Sequence, residues 1–211
     1  FGLGPQCDWR ATSLREADKG TFFTCVKGGQ TLEMFVPAAG EHNVRNAVAS
    51  MAVARSLGVP AEAAVRAIAA YKAPAMRQQV VEAGGLTIID DSYNASPDSM
   101  RSAIDVLMSR NAPGKKAAVL ADMLELGDLS QQGHFEVGQY AREKGVDLLV
   151  AVGPLAREIA AGYGETAVWF AENNEAAAYL RETLQPGDAV LVKGSRGRKT
   201  DEIVAALKQE V

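Results

Sequence analysis

Two adjacent carboxylates, Asp90 and Asp91, close a short apolar run from Leu86 to Ile89 and are followed by Ser92-Tyr-Asn-Ala-Ser-Pro-Asp-Ser99. The β-branched run reads as a buried strand. Met100, Ile104, Leu107 and Met108 recur at helical spacing beyond it. Ser96 is placed to cap that helix, with Pro97 in its first turn and Asp98 near its positive end. Strand, polar turn, helix is how open α/β sheets build ligand sites at the carboxyl ends of strands. Three more expected strands end in chemically loaded turns: Asp122-Met-Leu-Glu-Leu-Gly127, Gly153-Pro154, and Lys193-Gly-Ser-Arg-Gly-Arg-Lys-Thr200. In a parallel sheet these turns converge on one crevice. Carboxylates there suit ribose hydroxyls or Mg²⁺, whereas Lys193, Ser195 and Arg196 suit phosphate or a substrate carboxylate.

The elements that must position these turns alternate from residue 78 onward. Strands are expected at 79–82, 86–89, 116–121, 147–152 and 189–192, and helices at 97–110, 130–145, 155–162, 173–184 and 200–210. This is the pattern of an α/β domain, a mostly parallel sheet with helices on both faces. The first part of the chain reads differently. Residues 21–26 and 31–36 flank Lys27-Gly-Gly-Gln30 as a hairpin, with 8–14 as a third strand. Trp9, Phe22, Phe23 and Phe35 sit at strand period and read as packing residues. Helices are expected at 44–57, closed by Gly58, and at 61–71 after Pro60. Lys72-Ala-Pro-Ala-Met-Arg77 breaks the helical pattern, so a domain boundary is expected near residue 74.

Composition sets limits. The 211 residues are 47% hydrophobic and 23% charged, enough for a sizeable core in one large or two small domains. A net charge of −4 argues against a nucleic-acid surface. Cys7 and Cys25 have neither metal-ligand spacing nor a disulfide framework, which fits a reducing, cytoplasmic setting. No apolar run approaches the roughly 20 residues of a membrane span. The chain opens on Phe1 without an initiator Met or a leader, so a piece of a longer protein is expected. His134, in a helix-like stretch, reads as a partly buried surface histidine.

Asp90-Asp-Ser-Tyr-Asn-Ala-Ser-Pro-Asp-Ser99 resembles a signature of the Mur ligases, with Ser96 where that family usually has Asn. Gly40-Glu-His-Asn-Val-Arg-Asn-Ala47 is similar to the family's Gly-x-His-Asn-x-x-Asn-Ala, and the loops from Asp122 and Lys193 also resemble family loops. Ala121 stands where the family often has Gly, and so does Met76 before Arg77. The resemblance is nearest to the branch that joins D-alanyl-D-alanine to UDP-N-acetylmuramoyl-tripeptide. It implies an ATP-dependent amide ligase acting through an acyl phosphate in peptidoglycan synthesis, with those two compounds as partners and a monomer as its state. It also implies that 1–74 is the tail of a central ATP-binding domain and 75–211 a complete C-terminal ligase domain.

Site residues follow from the same resemblance. Asn43 and Asn46, three apart, would hold the adenine of ATP, as a carboxamide carries both a donor and an acceptor. Capping of the following helix is the other reading of His42 and Asn43. Asp91 would meet the ribose, and Arg77 the ribose or phosphates, though a linker arginine is as often simply solvated. Asn94, Ser96, Lys193, Ser195 and Arg196 fall on the dipeptide side; residues 193–196 read equally well as a solvated basic loop. Gly194-Ser-Arg-Gly-Arg-Lys-Thr200 is not a phosphate-cradling loop, because Gly197 is followed by Arg198 and the required Gly-Lys-Ser/Thr is absent. That loop, a carbamylated lysine and the main Mg²⁺ ligands are expected upstream, so this piece alone is expected to be inactive and to hold no metal. The alternatives are another amino-acid ligase of the same superfamily and a non-catalytic adenine-nucleotide-binding module. An NAD-linked Rossmann enzyme lacks its Gly-x-Gly-x-x-Gly.

Overall fold

The computed structural model describes residues 1–17, 20–72 and 74–209. The chain divides into two compact units, Phe1–Ala73 and Pro74–Val211. The first is a three-stranded antiparallel sheet, β1 (Arg10–Ala17), β2 (Gly20–Lys27) and β3 (Gln30–Val36), followed by helices α1 (Glu41–Ser56) and α2 (Ala61–Ala69). Strand alternation explains the core. Phe23, Cys25, Met34 and Val36 face inward and pack with Val44, Ala47, Val48 and Met51 of α1. Phe22 and Phe35 pair on the opposite face, with ring centroids 4.7 Å apart. Gly28 and Gly29 close the hairpin at φ 55° and 80°, as a turn with two left-handed residues requires.

The first strand lies two residues later than expected and carries a register shift between Thr12 and Arg15. Helix α1 starts three residues earlier than expected, at Glu41. Gly40, at φ 94°, makes the turn into the helix, so His42 and Asn43 lie within its first turn rather than before it.

The second unit holds a six-stranded sheet of order β4-β5-β9-β6-β7-β8. Its strands are β4 (Gln79–Ala83), β5 (Leu86–Asp91), β6 (Lys116–Ala121), β7 (Leu148–Val152), β8 (Val168–Phe170) and β9 (Ala189–Lys193). Only β4 pairs antiparallel; the other pairings are parallel. Helices α3 (Pro97–Ser109), α4 (Ser130–Glu143), α5 (Arg157–Tyr163), α6 (Asn173–Thr183) and α7 (Asp201–Lys208) are interleaved with the strands. The central strands are unbroken apolar runs with no exposed surface from Val119 to Ala121 or from Leu149 to Val152, as a sheet covered on both faces demands. Strand β8 was not expected, because three residues are too few to display a period. Helices α4 and α5 approach at two glycines: a Cβ at Gly138 would overlap the Ile159 carbonyl, and one at Gly162 the Phe135 carbonyl.

Candidate functional site

The strand order makes β5, β9, β6 and β7 consecutive neighbours, so their four loaded turns lie side by side along the carboxyl edge of the sheet. Each turn is built by local hydrogen bonding. Asp90 accepts from the Ser92 N–H at 3.2 Å and from its hydroxyl at 2.5 Å, which turns the chain out of β5. Ser96 caps α3: its Oγ accepts from the Ser99 N–H at 3.4 Å, and its own N–H donates to Ser99 Oγ at 2.8 Å. The Ser96 hydroxyl is therefore tied to the helix end, while Asn94 stays exposed.

Asp91 and Lys193 are register partners on adjacent strands. Lys193 is only 3% exposed, and its ammonium donates to Asp91 Oδ2 at 2.7 Å and to the Asn94 carbonyl at 2.8 Å. The other oxygen of Asp91 accepts from the Gln78 N–H at 3.2 Å. Lys193 thus binds the protein rather than presenting its charge to solvent; burial of that charge requires the carboxylate. This corrects its reading as a donor open to a substrate carboxylate. Ser195 is similarly committed. Its N–H donates to the Asp122 carbonyl at 3.1 Å, and its Oγ accepts from the Leu124 N–H at 2.9 Å, joining the β9 and β6 turns. Arg196 is different: it is exposed, 2.9 Å from Asp201 Oδ1.

The β6 and β7 turns meet at Asp122. Its buried carboxylate accepts from the Ala156 N–H at 2.8 Å and lies 3.5 Å from Arg198 Nε. Burial pushes its pKa up, against the smaller opposing effects of the Ala156 N–H and Arg198. Gly153 is obligatory beside it, because a Cβ there would sit 2.5 Å from Asp122 Oδ2 and its φ is 107°. His134 is fully rather than partly buried. Its Nε2 accepts from the Met123 N–H at 2.9 Å and its Nδ1 donates to the Ser130 carbonyl at 2.6 Å, so both ring nitrogens hold the β6 turn.

Arg77 lies against the β5 turn. Its guanidinium sits over the Tyr93 ring, 4.3 Å from the centroid. Met76 and Gln78 on either side have φ 65° and 52°, and the Tyr93 N–H donates to the Met76 carbonyl at 3.0 Å. The sequence offered one hint of this contact: a helix-capping turn leaves Tyr93 without a purpose. In the first unit, Asn43 and Asn46 line one cavity of about 420 Å³ with Ala63, Ala67, Ile68 and Tyr71 of the α2 region. Asn43 Nδ2 donates to the Ala39 carbonyl at 2.7 Å and lies 3.1 Å from His42 Nε2. Both asparagines share that cavity, and Asn43 also ties the start of α1.

An open α/β sheet whose carboxyl edge gathers an ion-paired Asp91, an exposed arginine and a stacked arginine defines a ligand-binding domain of the doubly wound class. A family model described as Mur ligase, glutamate ligase domain, matches residues 76–196, and the chain belongs to that family. Over 213 residues it is 36% identical to a UDP-N-acetylmuramoyl-tripeptide–D-alanyl-D-alanine ligase of Bacillus subtilis, covering 98% of this chain and 46% of the relative. Among solved structures, MurF from Acinetobacter baumannii superposes with a TM-score of 0.91 at 33% identity, over 98% of this chain and 46% of that one. MurF ligase from Thermotoga maritima in complex with ADP gives 0.82 at 26%, over 96% and 46%. The chain spans about half the length of the relatives it matches.

Proposed function

We propose that this chain works as the C-terminal half of an ATP-dependent ligase that joins D-alanyl-D-alanine to UDP-N-acetylmuramoyl-tripeptide in peptidoglycan synthesis. The observation that carries the reading is similarity along 98% of the chain to relatives named for that reaction. The solved relative bound to ADP supports an adenine nucleotide as ligand. Residues 1–74 then belong to the nucleotide-binding domain and 75–211 to the domain that receives the incoming dipeptide. Because relatives are about twice as long and no Gly-Lys-Ser/Thr loop occurs here, phosphate cradling belongs to the remaining half.

In this reaction the tripeptide carboxylate attacks the γ-phosphorus of ATP, giving an acyl phosphate and ADP. The dipeptide amine then attacks the acyl carbon, and phosphate leaves with the oxygen that came from the carboxylate. Neither step needs a covalent enzyme intermediate, so the protein's contribution is placement and charge. Within the first unit Asn43 and Asn46 are assigned to the adenine; within the second, Asp91 is assigned to ribose hydroxyls while keeping its bond to Lys193. Arg77 faces phosphate. Arg196, exposed and able to form a bidentate fork, takes the dipeptide carboxylate, and Asn94 and Ser96 of the β5 turn are assigned to the same dipeptide. Lys193 and Ser195 hold the turns that carry these groups. Among the described residues no group of three or more His, Cys, Asp or Glu side chains could hold a metal ion, so no step is assigned to Mg²⁺ held by this chain. No helix of the described residues is long and apolar enough to cross a membrane; a cytoplasmic, monomeric enzyme is part of the same proposal.

The test is phosphate release by the full-length protein. Release should require ATP, the UDP-linked tripeptide and D-alanyl-D-alanine together, and residues 1–211 alone should release none. Turnover with a single amino acid in place of the dipeptide would assign the chain to another ligase of the superfamily. Nucleotide binding without turnover would leave only a binding module.

A further inference from the structure

We infer that Tyr93 is a positioning residue for Arg77, holding its guanidinium at the carboxyl edge of the sheet for the phosphates of an adenine nucleotide; the inference rests on the nucleotide part of the reading above. The first support is the contact itself, with the Arg77 guanidinium carbon 4.3 Å from the Tyr93 ring centroid. A guanidinium resting on a ring face keeps its in-plane N–H donors for a second partner, the combination that suits phosphate.

The second support is the backbone. Met76 and Gln78 flank Arg77 at φ 65° and 52°, a region L-residues with long side chains avoid. Such conformations persist where the surroundings over-determine them. Here three links do so: Tyr93 N–H to the Met76 carbonyl at 3.0 Å, Gln78 N–H to Asp91 Oδ1 at 3.2 Å, and Arg196 Nη1 to Met76 Sδ at 3.9 Å. The loop is thus pinned to both strand-end turns that carry the proposed ligand groups. A solvated linker arginine needs none of this.

The third support is exposure. Tyr93 remains 44% exposed, so its ring is not part of the core, and the capping of α3 by Ser96 and Ser99 does not involve it. Its ring covers the arginine. A flexible linker arginine would have to be ordered at the moment of binding; one already stacked has lost that freedom beforehand.

The experiment is calorimetric titration of the full-length protein with ADP, without tripeptide or dipeptide. Arg77→Ala should weaken ADP binding. Tyr93→Leu should weaken it about two- to fivefold, the factor an exposed cation–π contact carries, and Tyr93→Phe, which keeps the ring, should restore the parent affinity. The double variant Arg77→Ala/Tyr93→Leu should bind no more weakly than Arg77→Ala alone, since Tyr93 acts through Arg77. Unchanged binding in Tyr93→Leu or in Arg77→Ala would overturn the inference, and so would additive losses in the double variant. Failure to form the amide would refute the ligase reading without touching this titration.

Discussion

Replacing Lys193 by Met tests whether the buried pair at the β5–β9 edge holds the site together. The lysine side chain is 3% exposed, and its ammonium donates to Asp91 at 2.7 Å and to the Asn94 carbonyl at 2.8 Å. Met fills nearly the same volume as the lysine stem, so the cavity contribution is small. What remains is the electrostatic loss. Asp91, 11% exposed at its side chain, would keep the Gln78 N–H but lose the Lys193 ammonium, and the Asn94 carbonyl would lose a donor. Removing one partner of a buried pair costs about 3–5 kcal/mol, and the orphaned carbonyl lies within that range. Urea unfolding of the 211-residue chain at neutral pH should show that loss as a lower midpoint with an unchanged slope. The double variant Asp91→Asn/Lys193→Met, which removes both charges, should recover most of it. A loss below about 1 kcal/mol in Lys193→Met would mean that the pair is not buried as described. Lys193 would then again be open to a substrate carboxylate.

Other expectations follow from individual contacts. Gly138→Ala and Gly162→Ala each drive a methyl into a carbonyl of the facing helix, and each should cost at least about 1–3 kcal/mol in urea unfolding. Met76→Gly relieves a left-handed residue at φ 65°, worth about 1–2 kcal/mol. Part of this is offset by the greater unfolded-state freedom of Gly and by loss of the Met76 Sδ contact with Arg196, so a net gain below about 1 kcal/mol should raise the urea midpoint. Asp122 has its pKa raised by burial, so the stability it contributes is present below the unfolded carboxylate pKa and is lost as pH rises through the folded value. The stability difference between parent and Asp122→Asn should therefore move in favour of Asn as pH rises through the acid range, and unfolding measured across that range checks it.

Much of the second unit was legible in the sequence because long apolar runs and helical periods are local signals. The expected 116–121 strand coincides with β6 (Lys116–Ala121), and the Ser96 cap was readable from Ser-Pro-Asp. Contacts between distant residues were not legible. Lys193 and Asp91 are 102 residues apart, so nothing in the basic loop announces that its lysine is buried. His134 reads as a surface histidine until the Met123 N–H and Ser130 carbonyl are brought to its two nitrogens. Two departures from the family pattern acquire physical reasons. Met76, where Gly is common, occupies a positive φ that Gly adopts freely. Ala121, where Gly is also common, packs against Gly194, at which a Cβ would come within 2.8 Å of the Ala121 Cβ. One of that pair must be small, and here position 194 is the glycine.

The ligase account is tested most directly by following an oxygen atom. Full-length protein is supplied with ATP, D-alanyl-D-alanine and UDP-linked tripeptide whose terminal carboxylate carries ¹⁸O, and the released phosphate is examined by ³¹P NMR. Transfer of one carboxylate oxygen to each phosphate, in step with amide formation, is the expected result, because the acyl phosphate must leave with that oxygen. Amide formed with unlabelled phosphate, or no dipeptide-dependent phosphate at all, would contradict it.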